Sequence, residues 1–138
     1  MLKEKLLVVV KNNMSNNTIK EDILHKNCII LFELKYSNKG VILHHSPNEN
    51  PRGQQIQMIC YNKKMKARGR LTGFPDLILF FNNKVLLIEL KREKGGVLST
   101  EQKELFKKFQ QQQFPVHIIK TLEDFDNLVA DFILNVSS

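Results

Sequence analysis

Two apolar runs, Leu77 to Phe81 and Val85 to Ile88, stand on either side of Asn82-Asn83. No other stretch leaves the chain so few choices. Paired asparagines tolerate the left-handed backbone that a two-residue hairpin turn demands. With Asn82 and Asn83 at the turn, Phe81 pairs with Lys84, and counting back residue for residue puts Asp76 opposite Glu89. Directly opposed residues hold their Cβ atoms about 4.5–5.5 Å apart. Lys91, two residues beyond Glu89, points to the same side. An Asp, a Glu and a Lys therefore converge at the end of a hairpin that is otherwise mostly apolar.

Two carboxylates that close repel one another, and taking charge out of water is unfavourable without a partner. A divalent cation resolves the repulsion, and all-oxygen ligands suit a hard ion, Mg²⁺ or Mn²⁺. Such an ion generates a hydroxide nucleophile and stabilises charge on a phosphoryl group. Lys91 would orient the water or neutralise the transition state. The bland alternative is a plain salt bridge from Lys91 to Asp76 or Glu89. Three charges sharing one face of an apolar sheet argue against it.

Gly73-Phe74-Pro75-Asp76, the strand Ile88-Glu89-Leu90-Lys91 and the segment Gly95-Gly96-Val97-Leu98-Ser99-Thr100-Glu101-Gln102 together resemble the VRR-NUC nucleases. That family is a branch of the PD-(D/E)XK, restriction-endonuclease-like superfamily. The resemblance runs from about Thr18 to the C-terminal helix and is sharpest from Gly73 to Gln102. It implies metal ligation by Asp76, Glu89 and the Leu90 backbone carbonyl, with Lys91 positioning the water. It also implies an acid from the first helix, best matched by Glu21, with Asp22 in reserve. His25 falls where that helix in the family often carries a Gln. Gln102 matches an active-site neighbour, and Pro47-Asn48 matches the end of a strand, making Ser46 and Asn48 candidate substrate contacts. A stand-alone domain of this kind is expected to act on branched DNA such as four-way junctions, as a homodimer.

Several of these residues have a second reading. Glu21 also fits the N3 position of a capping box begun by Thr18, and Gln102 that of one begun by Ser99. His44 and His45, adjacent on a strand, point to opposite faces and cannot both serve one site.

The net charge of +7 over 138 residues draws a small domain toward polyanions. The densest positive run, Lys63, Lys64, Lys66, Arg68 and Arg70, closes a predicted helix over 53–67 just ahead of Gly73. It is the expected DNA contact. Stacking aromatics are sparse around it, so base-specific readout is not indicated. Cys28 and Cys60 are spaced as neither a metal motif nor a disulfide framework, and both read as small buried residues. Leu6 to Val10 is too short to span a membrane and lacks a cleavage pattern, so an intracellular protein is expected. That run reads as a strand or arm within residues 1–17, and is a candidate dimer contact.

Along the remaining chain, Leu24, Cys28 and Leu31 with Ile23, Ile30 and Leu34 form an apolar stripe on a helix from Thr18 to about Lys35. Val41 to Ser46 is a strand. Ile56, Ile59 and Cys60 face the core from the second helix. Leu105, Phe106 and Phe109 do so from a third, and Phe114 to Lys120 is a strand parallel to its partner. Thr121 caps a last helix whose stripe is Phe125, Leu128, Val129, Phe132 and Ile133. The hairpin is apolar on both faces, which calls for helices on both sides. The fold expected is one α/β domain over residues 1–138, a restriction-endonuclease-like mixed central β-sheet flanked by helices. The function expected is Mg²⁺-dependent phosphodiester hydrolysis in DNA. The alternatives are a non-catalytic basic nucleic-acid-binding module, or a nuclease acting on flaps, single strands or RNA.

Overall fold

Asn82 and Asn83 take positive φ values of 44° and 65°, the backbone of a tight hairpin turn whose twist matches the strands it joins. In the computed structural model they connect β2 (Leu77–Phe81) to β3 (Lys84–Leu90), with Phe81 opposite Lys84 and Leu77 opposite Ile88. The structure describes residues 21–47 and 55–136, together with Glu4, Lys5 and Val8. Thr18, Asn48, Gly53 and the 11–17 loop lie outside the described residues. Val8, from the Leu6–Val10 run read as extended, is helical and exposed.

The described elements run α1 (Glu21–Lys35), a 3₁₀ turn (Ser37–Lys39), β1 (Ile42–His45), α2 (Gln55–Ala67), β2, β3, α3 (Thr100–Gln111), β4 (Val116–Ile119) and α4 (Leu122–Val136). The sheet order is β1-β2-β3-β4; the first two pairings are antiparallel and β3–β4 is parallel. This is a mixed four-stranded α/β fold, with α3 carrying the chain between the two parallel strands. No described helix is long and apolar enough to cross a membrane.

One face of the hairpin is the core. Leu77, Leu79, Leu86, Ile88 and Leu90 are buried there with Leu24, Cys28, Leu31 and Phe32 of α1 and Phe125 and Val129 of α4. On α1 the buried set is Leu24, Asn27, Cys28, Leu31 and Phe32, a stripe at helical spacing. Ile23 and Ile30 stand outside it, exposed. Asp126 ties α4 to α1: Lys35 Nζ reaches its carboxylate at 2.7 Å and the Tyr36 hydroxyl donates to the same group. Thr121 Oγ1 accepts from the Asp124 amide at 3.1 Å and caps α4.

The other face is less well covered than expected. Ile42, Phe80 and Ile118 are exposed there, because the helix expected to bury it does not. Helix α2 has no buried residue, and Ile56, Ile59 and Cys60 are all exposed. The expectation of a core-facing α2 and a buried Cys60 is overturned: the apolar residues of α2 are not gathered on one face, so the helix has no stripe to dock.

Candidate active site

Asp76 stands one residue ahead of β2 and is fixed from three directions. Its backbone oxygen accepts from the Ser46 amide at 3.0 Å and lies 3.1 Å from His45 Nδ1, while its Oδ2 accepts from the Leu90 amide at 2.8 Å. The side chain thus carries the β2–β3 pairing one step past the end of the strand. Leu90 is engaged here through its amide nitrogen.

Glu89 is 2% exposed, deep in the strand. Its Oε1 accepts from Gln102 Nε2 at 2.6 Å and lies 3.2 Å from Lys91 Nζ. Its Oε2 is buried with no hydrogen-bond partner. Burial, and next the charge of Asp76, push the Glu89 carboxyl up to about 7; Lys91 and Gln102 hold it back only in part. Lys91, itself largely buried, is pinned through its backbone amide to Ile119 of β4 at 3.0 Å.

Gln102 both caps α3 and reaches Glu89. Its Oε1 accepts from the Ser99 amide at 3.0 Å and its own amide donates to Ser99 Oγ at 3.2 Å, closing the capping box of α3. Its remaining Nε2 donor is the one that reaches Glu89. Gly73 allows this approach: a Cβ there would fall 2.9 Å from the Gln102 nitrogen, and its φ is +83°.

These groups open into one cavity of about 500 Å³, lined by Glu21, Asp22, His25, His45, Gly73, Asp76, Glu89, Lys91, Ser99 and Gln102. The hairpin trio, Glu21, His25 and Gln102 are therefore brought together. Glu21 stands exposed at its rim. Asp22, the reserve acid, is paired with Lys26 at 2.8 Å, and that contact holds its carboxyl below its ordinary value. Ser46 contributes its backbone amide to Asp76. Lys63, Lys64, Lys66, Arg68 and Arg70 do not line the cavity. The first four are exposed on the last turns of α2 and just after it, and Arg70 donates to Asn62 Oδ1 at 3.2 Å.

Of the two strand histidines, His45 lines this cavity and His44 does not. The His45 ring meets that of His25 edge to face, with centroids 4.4 Å apart, and joins β1 to α1 beside Asp76. Its place opposite Leu77 sets it next to Asp76.

Whether a divalent ion suits these residues turns on the donors. The unpartnered Oε2 of Glu89, buried beside a second carboxylate, is an acceptor that a cation would satisfy while offsetting the repulsion between the two acids. Among the described residues no three His, Cys, Asp or Glu side chains cluster tightly enough to cage an ion unaided. Two carboxylates with open positions beside them fit a hard divalent cation that completes its shell with waters and phosphate oxygens.

Comparison with known proteins points one way. The model of the VRR-NUC domain family matches residues 16–121, from ahead of α1 to the cap of α4. A solved structure described as a VRR_NUC domain protein superposes with a TM-score of 0.65 at 18% identity, covering 85% of this chain and 90% of its own. At that identity the likeness speaks for the fold. No curated protein matches.

Proposed function

The chain belongs to the VRR-NUC family, and we propose that it is a Mg²⁺- or Mn²⁺-dependent DNA endonuclease, selective for branched DNA such as four-way junctions. The observation that carries the chemistry is the juxtaposition of Asp76, Glu89 and Lys91 on one cavity, with Glu89 Oε2 buried and unpartnered. Asp76 and Glu89 would hold the ion, aided by Glu21 from the rim and by the Leu90 carbonyl. The bound ion supplies a nucleophilic hydroxide and offsets charge on the phosphoryl group.

The protein's own residues do the rest. The Leu90 amide holds one Asp76 oxygen and orients the other. Gln102 and Lys91 converge on Oε1 of Glu89, so Oε2 is the oxygen left for a ligand. The Lys91 ammonium sits where it can orient an attacking water and neutralise the pentacoordinate phosphoryl group. The basic run at the end of α2 supplies sequence-independent attraction for the DNA backbone. We further infer an intracellular homodimer, whose two sites would make paired cuts.

The test is a side-by-side assay of junction, flap, duplex and single-stranded substrates with Mg²⁺ and with excess EDTA. Cleavage of the junction that stops in EDTA is the expected result. Cleavage that persists in EDTA contradicts the metal role. Binding without cleavage of any substrate leaves a non-catalytic nucleic-acid-binding module.

A further inference from the structure

Beside the acid-lined cavity lies a second one of about 270 Å³, lined by Glu21, Lys91, Arg92, Gly95, Gly96 and Val97. Glu21 and Lys91 line both cavities, so the two share a wall. The loop that closes it has no room for a side chain at Gly96 and a left-handed backbone at Gly95. At Gly96 a Cβ would fall 2.5 Å from the Arg92 carbonyl oxygen and 3.0 Å from Lys91 Cβ, so the chain folds back directly onto the end of β3. At Gly95, with φ +74°, a Cβ would sit 3.7 Å from Arg92 Nη2. The guanidinium therefore lies over the bare glycine.

Arg92 is exposed, and among the described residues no carboxylate pairs with it. Lys91, next to it in sequence, is committed to Glu89. The wall of the second cavity thus offers an uncommitted planar fork of donors, held on a loop packed against the end of β3. That combination matches the oxygens of a phosphate.

We propose that this cavity is a phosphate subsite, and that Arg92 there holds a phosphodiester neighbouring the one cleaved. The proposal rests on the nuclease reading and adds to it the contact that sets the register of the strand. A strand with one phosphodiester at the acids carries the next within reach of the adjoining space, on the far side of Lys91. Glu21 lines both cavities, and a cation held in the first would offset its repulsion of the second phosphate.

The experiment measures binding by fluorescence anisotropy, with Ca²⁺ in place of Mg²⁺, to the DNA that the wild-type protein cuts best. Single uncharged methylphosphonate linkages are placed in turn around the cut. For the wild type, one linkage adjacent to the cut should weaken binding roughly tenfold. Arg92→Ala should lose about as much on unmodified DNA, lose nothing further at that linkage, and lower the salt dependence by about one unit of slope. Arg92→Lys, which keeps the charge and loses the fork, should fall between the two. The melting temperature of each variant should match the wild type, since the side chain is exposed. Wild-type affinity for Arg92→Ala, or a methylphosphonate profile identical to that of the wild type, overturns the subsite while leaving the nuclease reading intact. A wild-type protein that neither binds nor cuts DNA overturns both.

Discussion

The β2–β3 hairpin and helix α2 both carry charge, and they hold it in opposite ways. Glu89 is 2% exposed, faces Gln102 at 2.6 Å and Lys91 at 3.2 Å, and sits on the strand next to the chain's most completely buried leucines. Helix α2 buries nothing, and Lys63, Lys64 and Lys66 project from it into solvent. Bond breaking needs groups whose position and ionisation are fixed in advance, at a cost in stability. Capture of a polyanion needs only charge within a Debye length of the phosphates, and accepts loose geometry. A change in the hairpin should therefore act on rate, and a change in α2 on affinity and its salt dependence.

The largest effect tests that division most directly. Asp76→Ala should slow cleavage by about a thousandfold or more, because it removes a charge from the proposed metal site and the acceptor of the Leu90 amide. DNA binding should stay within a few-fold of the wild type. Single-turnover rates and anisotropy on the same substrate measure both. A loss of affinity as large as the loss of rate would erase the distinction between the two regions.

Next comes pH. Without a divalent ion the folded Glu89 carboxyl titrates near 7, against 4.5 for its ordinary value. The folded state thus holds the proton more firmly than the unfolded chain. The stability this contributes is fully present below pH 4.5 and is lost as pH rises through about 7, on the order of 3 kcal/mol at most. A divalent ion must displace that proton, so the rise in melting temperature produced by Mg²⁺ should be small near pH 5.5 and reach a plateau above pH 8. Glu89→Gln should remove both trends. Melts of the two proteins across pH, with and without Mg²⁺, isolate the Glu89 contribution from that of other acids.

The contrast also marks what could be seen in the sequence. The hairpin was legible because its rules are local: Asn82-Asn83 sets the register, and the register sets which side chains meet. The α3 capping box and the α4 stripe were legible for the same reason. Helix α2 was not, because a few apolar residues at helical spacing do not say whether a partner surface exists. Ile56 and Ile59 have the spacing and no partner in the core. Of the His44–His45 pair the sequence could not say which faces the site, because His45 reaches it through a contact with Asp76 across 31 positions of sequence. Gln102 shows a subtler loss. Cap and active-site neighbour look like rival roles in the sequence, yet an amide has both an acceptor and donors and can satisfy each.

Gln102 gives the third test, since one side chain both caps α3 and touches Glu89. Gln102→Ala should cost about 1–2 kcal/mol, for the cap and the bond to Glu89 together, and lower the melting temperature by several degrees. Gln102→Glu keeps an acceptor for the Ser99 amide and sets a carboxylate against Glu89. Its melting temperature in Mg²⁺ should fall less than that of the alanine variant, while cleavage drops by roughly tenfold or more. Equal losses of stability and rate in both variants would make Gln102 a helix cap alone.

The smallest effects belong to α2, and their form matters more than their size. Each of Lys63→Ala, Lys64→Ala and Lys66→Ala should weaken DNA binding only a few-fold, because an exposed ammonium trades water and counterions for phosphate at little net gain. Removing each ammonium should also lower the slope of log affinity against log salt by about 0.9 on duplex DNA. The triple variant should therefore bind almost as well as the wild type in high salt and noticeably worse in low salt. Its single-turnover rate at saturating protein should be unchanged, because none of the three lines the cavity. Titrations at three or more salt concentrations separate this outcome from its opposite. A triple variant with unaltered slope would mean that DNA does not cross α2, and that its exposed isoleucines, more than its lysines, mark what this helix meets.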